Sequence, residues 1–473
     1  MTHVPSLTAA PGDSGPRRSL VLAGGGMRTS WQAGVLKALE EAGIGFHHAD
    51  GTSGGIFNLA ALMSGQSPTE MCANWQDVNP RDFVAPLAPS TYLRSPRWPG
   101  FASGKGIAER IFPALGVDVD RIRDARGLDA TFNVVDFNRK INVAFGHQEI
   151  ASELLLAGVS LPVLLPAIAY GDGLWVDSVW IQDTNLMAGV ERGSDELWLV
   201  WCIANAAHYR NGFFRQYVHM MEIAASGSVF GEMTRIAELN ERIAGGDRPG
   251  GRTTPIRLHV IRPEIPIPVD PDYYLGRIDA ATLVALGYRA AWEYLDSYDP
   301  AVGVPLDRSS TRMSDGAPGM SFRVRVGGRA TIDGVEGPLA LRLAIEIGEL
   351  DRFLENPAGD HGALVGEVRH PAFGPATMLR SGTFRFDGDR AVYTGSFASA
   401  GRRYELHASG VRRPTATLDV SIIPAEEPAT SVRLTPTRRQ VAMQVASLHA
   451  RNTGNLPAGG RVVARFARAL LGS

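Results

Sequence analysis

The sequence predicts an α/β layer fold followed by a smaller, mostly β domain. Three observations carry this. Up to about residue 298, short apolar runs alternate with stretches of helical period. The segment 299–318 is rich in Pro, Gly, Ser and Asp. Beyond it, apolar residues alternate singly with polar ones, the period of a half-buried strand. A chain of 473 residues, 44% of them apolar, is long enough for more than one core.

Residues 1–17 are rich in Pro, Ser and Gly and lack an apolar stretch, so they are expected as a flexible tail rather than a secretory signal. The first domain is expected over 18–298. Ser19-Leu20-Val21-Leu22-Ala23 reads as a buried strand leading into Gly24-Gly25-Gly26, then a helix carrying Val35, Leu36 and Leu39 that stops near Gly43. A second extended piece ends at Asp50, followed by the turn Gly51–Gly55 and a helix through Phe57, Leu59 and Leu62 to Gly65. The runs Ile141–Phe145, Leu197–Ile203 and Ile256–Ile261 read as further strands of the same sheet. Residues 299–318 are expected as a linker and 319–425 as a β-rich domain. There Phe322, Val324 and Val326 alternate with Arg323 and Arg325, and Asp333-Gly334 and Asp387-Gly388 are hairpin signals. Residues 426–473 read as a helical segment. In it Arg461, Arg465 and Arg468 fall on one face and Val463, Phe466 and Leu470 on another. Such a helix either docks on its own protein or lies on a membrane surface.

Composition narrows the function. A net charge of −2 supplies no global field for nucleic acid or an anionic membrane. Two cysteines, Cys72 and Cys202, cannot make a disulfide framework, and no Cys/His cluster has zinc-ligand spacing, so no metal or cofactor is implied. No run reaches the roughly 18–20 apolar residues that span a bilayer. The expectation is a cytoplasmic protein, with peripheral membrane contact open through a local patch.

Gly51-Thr52-Ser53-Gly54-Gly55 fits G-x-S-x-G between a strand and a helix. That spacing makes a sharp turn, with glycines where side chains would collide with the strand and helix, and it lifts the serine Oγ to a helix N-terminus. Upstream, Gly24-Gly25-Gly26-Met27-Arg28 also joins a strand to a helix. Its backbone N–H groups can converge on a phosphate or on the oxyanion of a tetrahedral intermediate. A dinucleotide fingerprint starting at Gly24 would need Gly where Thr29 stands, and the Gly-Lys-Ser/Thr of a Walker loop is missing. A serine-protease-like Gly12-Asp13-Ser14-Gly15-Pro16 lies in the expected tail, with no surrounding barrel.

Together these blocks resemble the patatin-like phospholipase family. Its G-G-G-x-R loop stands here as Gly24–Arg28 and its elbow as Gly51–Gly55. Ala157-Gly158-Val159-Ser160-Leu161-Pro162 with Pro166 is similar to its Ser/Pro block, and Leu174-Trp175-Val176-Asp177 to the strand ending at its aspartate, with Asn185 following. The resemblance implies a three-layer sandwich with a mostly parallel central sheet and a Ser–Asp dyad without histidine. Ser53 would be the nucleophile and Asp177 the base. Residues Gly24, Gly25, Gly26, Met27 and Arg28 would form the oxyanion loop, and the substrate would be a lipid acyl ester. Two residues depart from the pattern. Thr29 stands where the family has Gly, and Asp177-Ser178-Val179 replaces Asp-Gly-Gly or Asp-Gly-Ala. Asp172-Gly173 is therefore an alternative to Asp177, although Tyr170-Gly171-Asp172-Gly173 has the composition of a turn.

Other readings stay open on the residues. His47 or His48 could serve a Ser-His-Asp triad. Trp198, Trp201, Phe213, Phe214 and Tyr217 are either core or the wall of an acyl pocket. The run from Met320, with Thr331-Ile332-Asp333-Gly334 and Ser381-Gly382-Thr383-Phe384, is similar to a β-rich extension of some bacterial sterol-type flavin oxidoreductases. The chain has no flavin fingerprint, so this module either holds a lipid or packs passively. A non-catalytic lipid carrier and an acyltransferase or thioesterase using the same dyad are the rival functions.

Overall fold

The structure, a computed structural model, describes residues 2–471 except 94–97, 204–208, 210, 269–272, 315, 360, 376, 426–427 and 454–455. It divides into two units, Met1–Leu275 with Tyr294–Met313, and Gly276–Glu293 with Ser314–Ser473. Among the described residues no helix is long and apolar enough to cross a membrane.

The first unit is built on an eight-stranded, mostly parallel sheet. Its strands are β1 (Arg18–Leu22), β2 (His48–Thr52), β3 (Asp129–Asp136), β4 (Ile141–Gly146), β5 (Ile168–Tyr170), β6 (Gly173–Asp177), β7 (Glu196–Val200) and β8 (Arg257–Ile261). The run β8-β7-β1-β2-β3 is parallel throughout. Parallel strands are covered on both faces, which is why β1 and β7 are continuous apolar runs rather than alternating ones. Val21, Leu197 and Leu199 share one buried cluster with Ala225, Val229, Met233 and Ile236 of helix Phe213–Ala244. The helix Gly55–Met63 packs against β1, β2 and β3.

The antiparallel strands bring the site together. β4 lines one edge of β3 from Thr131 to Asp136. The other edge is shared, with β2 lying beside Asp129–Asn133 and β6 beside Val134–Asp136. β2 runs parallel to β3 and β6 antiparallel to it, so the two strands end head to head. Thr52 is level with Asn133, and Asp177 with Val134, the next residue along.

The second unit is a nine-stranded antiparallel half-barrel with its own core. Its long first hairpin pairs Gly319–Ile332 with Val335–Ile347, turning at Asp333 and Gly334, both of positive φ. Phe322, Phe353, Phe384 and Phe386 fill the interior together with Val462, Phe466 and Leu470 of the C-terminal helix Leu456–Leu471. The Phe466 ring lies 5.2 Å from Phe322 and 6.1 Å from Phe386. Of the two sites offered to that amphipathic helix, its apolar face occupies its own unit's core.

Several boundaries differ from those expected. The first seventeen residues are not a free tail. Leu7 is buried, Phe46 N donates to Leu7 O and Ala9 N donates to Phe46 O, extending the chain beside the entry to β2. Within 299–318, expected as a linker, Val304 N donates to Leu258 O and Met313 is buried in the first unit's core. Residues 276–293, expected in the first domain, belong to the second unit, because Asp279 pairs with Arg323 and Arg325 and Arg289 donates to Gly382 O. The C-terminal 426–473 is not wholly helical, since Thr430–Leu434 and His449–Arg451 are sheet strands.

Candidate active site

Ser53 leaves β2 at φ 50°, the left-handed region that a residue with a β-carbon rarely adopts. Such strain persists where the surroundings over-determine it. Here they do. A Cβ on Gly54 would stand 2.7 Å from Gly26 O, and one on Gly55 would overlap the Leu22 carbonyl. The chain must therefore reverse sharply between β1 and its glycine loop, and Ser53 is pushed up over the end of the sheet.

There it meets the end of β6. Ser53 Oγ donates to Asp177 Oδ2 at 2.7 Å, across 124 positions of sequence. Asp177 Oδ1 accepts from Val179 N at 2.9 Å, and its own N–H is held by Ser160 O, from the Ser/Pro block. Both side chains are buried. Burial pushes the Asp177 carboxyl up to about 7, against the lowering effect of the Val179 N–H and the Ser53 hydroxyl. Asp172 is exposed in the turn between β5 and β6. His48 is bound to Ser19 and Thr131, and its burial lowers it to about 3, so a neutral imidazole is tied up in the sheet. His47 Nδ1 accepts from Arg18 N.

The glycine loop lies alongside. Gly24 N donates to Asp183 Oδ1 at 3.1 Å and Arg28 N donates to Gly25 O, so these two amides of the expected oxyanion set are already engaged. Gly25 and Gly26 N–H have no acceptor among the described residues. Arg28 is buried within the loop, with its Nε donating to Gly25 O at 3.1 Å. Asp183, six residues beyond Asp177, was not singled out by sequence. It is fully buried, and burial together with the neighbouring Asp177 raises its carboxyl well above the usual range. A side chain at Gly24 would collide with it.

A further polar network under the elbow was also illegible. Asp50 accepts from Thr131 Oγ1 at 2.5 Å and from Asn133 Nδ2 at 2.6 Å, and Asn133 Nδ2 also reaches Thr52 Oγ1. Asn133 Oδ1 accepts from Asn142 and from Asn185, and Asn142 Oδ1 from Ser178 Oγ at 2.7 Å. Ser178, the departure from the family's glycine, thus has its hydroxyl satisfied. Glu232 holds Leu186 N, Gln182 and Thr184. Burial raises both Asp50 and Glu232 to about 7.

Ser53 opens onto a cavity of about 370 Å³ lined by Phe57, Phe83, Phe101, Leu161, Leu164, Phe214 and Leu275 among others. Of the aromatic candidates, Phe214 lines it. Trp198 and Trp201 are core, with Trp198 stacked on His259 at 4.4 Å, and Tyr217 is buried with its hydroxyl on Pro162 O.

The mostly parallel sheet thus carries at one end a strained serine turn, an adjoining glycine loop and a buried carboxylate. Residues 20–188 match the model of the patatin-like phospholipase family. Among solved structures, VipD from Legionella pneumophila is similar over 61% of this chain and 67% of that one, at 12% identity and a TM-score of 0.33. No curated protein matches.

Proposed function

We propose that this protein hydrolyses carboxylic esters of lipids through Ser53 and Asp177. The observation that carries the reading is the 2.7 Å hydrogen bond from Ser53 Oγ to a buried, otherwise weakly solvated Asp177. An ordinary exposed carboxylate is a poor base for an alcohol, whereas one raised to about 7 is matched to neutral pH. Oγ attacks the ester carbonyl as Asp177 Oδ2 takes its proton. The Gly25 and Gly26 amides receive the oxyanion, the C–O bond to the alcohol breaks, and Asp177 returns the proton to the departing oxygen. Water, deprotonated by Asp177, then attacks the acyl-enzyme, releasing the acid and restoring Ser53. The apolar cavity takes the acyl chain.

A fluorophosphonate probe tests this. The wild type should label and the Ser53→Ala protein should not, with lipid-ester turnover falling by roughly 10⁴-fold or more. A folded wild type that neither labels nor turns over ester would reject the reading in favour of a lipid carrier. Acyl transfer to an added alcohol in preference to water would make the protein an acyltransferase.

A further inference from the structure

The cavity's walls do not stop at its mouth. Phe101 and Leu275 line it and are also 44% and 62% exposed. Around them stand Val163, Phe213 and Trp98, which lie outside the cavity lining and are 47%, 75% and 38% exposed. These residues come from separate stretches of the first unit, and Trp98, Phe101 and Val163 are tied to one another. Phe101 N donates to Val163 O at 3.0 Å, Trp98 packs on Phe101 with ring centroids 5.8 Å apart, and Tyr217 of the Phe213–Ala244 helix holds Pro162 O beside Val163. Phe214 points into the cavity from the same helix turn that carries Phe213 outside.

Val163 makes the patch hard to read as incidental. It sits at φ 77°, a conformation that a β-branched residue avoids, and yet its side chain is directed to water. Strain retained to expose an apolar side chain needs a compensating use.

We infer that this rim is the surface by which the protein docks on a lipid bilayer, and that it feeds the acyl chain from the membrane into the cavity. The inference rests on the lipid-ester reading above. The partner is set by continuity. The exposed rim and the cavity wall are one apolar surface, so an acyl chain passing from bilayer to cavity would not wet its methylenes. A second copy seated on the rim would instead close the substrate's entrance. The rim residues named are aliphatic or aromatic, with an indole suited to the headgroup level, so a zwitterionic surface suffices. This moves any membrane contact from the basic C-terminal helix, whose apolar face is buried, to the mouth of the site.

The experiment uses the full chain, phosphatidylcholine vesicles for binding by co-sedimentation, and p-nitrophenyl butyrate as a monomeric ester. Neither Phe213 nor Val163 lines the cavity, and Asp tolerates the left-handed backbone at 163 better than Val does. Val163→Asp and Phe213→Asp should each weaken vesicle binding by about tenfold or more while turnover of the monomeric ester is unchanged. Variants that bind vesicles as the wild type does overturn the inference. So does wild-type binding confined to phosphatidylglycerol vesicles and abolished by salt, or a wild-type dimer that Phe213→Asp dissociates. A wild type that cleaves the monomeric ester but ignores vesicles sinks the surface and spares the hydrolase. Rim-dependent vesicle binding with no cleavage does the reverse.

Discussion

The two units solve the problem of a buried interior in opposite ways. The half-barrel fills its interior with apolar side chains, and the charged groups it buries are paired, as Arg451 with Glu346 and Glu367 with Arg369. The first unit buries Asp50, Asp177, Asp183 and Glu232 at the end of its sheet. Each is raised by desolvation, so each disfavours its ionised form in the folded state. The first unit holds carboxyl groups that burial raises, at a cost in stability at neutral pH. The proposed chemistry sits in the unit that bears that cost.

The sharpest way to break this comparison is Asp177→Asn. The amide oxygen can still accept from Val179 N, and its NH₂ can donate to Ser53 Oγ, so the packing is kept while the base is lost. Turnover should fall by roughly 10³-fold or more. Stability should move the other way. A carboxyl raised to about 7 in the fold and titrating near 4 when unfolded binds more protons in the native state between those values. Its stabilising contribution is therefore complete below about pH 4 and lost as pH rises through about 7. Denaturation of the wild type followed from pH 5 to 8 should show a decline that Asp177→Asn makes shallower, and a steeper decline in the variant would refute the assignment. The acid limb of wild-type turnover should share the midpoint near 7.

On the other unit, Phe466→Ala should cost about 3–5 kcal/mol in the half-barrel transition, the loss expected for a buried ring. Turnover per folded molecule should not change. A comparable loss of activity would mean that the contrast between the units is drawn wrongly. The smallest effect is expected for Ser178→Gly, which restores the family residue and deletes the hydrogen bond to Asn142. Its cost, read by chemical denaturation, should be about 1 kcal/mol, with turnover preserved.

The contrast also explains what could be read in advance. Ser53 and its glycines were legible because steric needs at an elbow leave few residue choices. The contact of Ser53 with Asp177 was foreseen only through the resemblance of Leu174–Asp177 to a family block, with the end of an apolar run in support. The hairpin at Asp333-Gly334 was legible for a similar local reason. Asp183 was not, because Trp180-Ile181-Gln182-Asp183 carries no local sign of burial. Its partner, Gly24 N, is 159 positions away. Asp50, Asn133 and Glu232 are of the same kind, polar residues whose role exists only once three strands and a helix have met. The domain edges misled for a different reason. Composition marks 299–318 as turn-rich, and a turn-rich segment can still pack, as Met313 does. Periodicity found the amphipathic C-terminal helix but held no information on which apolar surface would receive it.

That helix imposes an order on synthesis. The strands from Gly319 to Leu434 leave the ribosome before Val462, Phe466 and Leu470 do. At about 5–20 residues per second they wait, curled around a greasy hollow with nothing to close it. Until Leu456–Leu471 emerges, the nascent half-barrel exposes that apolar interior, and only this helix supplies its stopper.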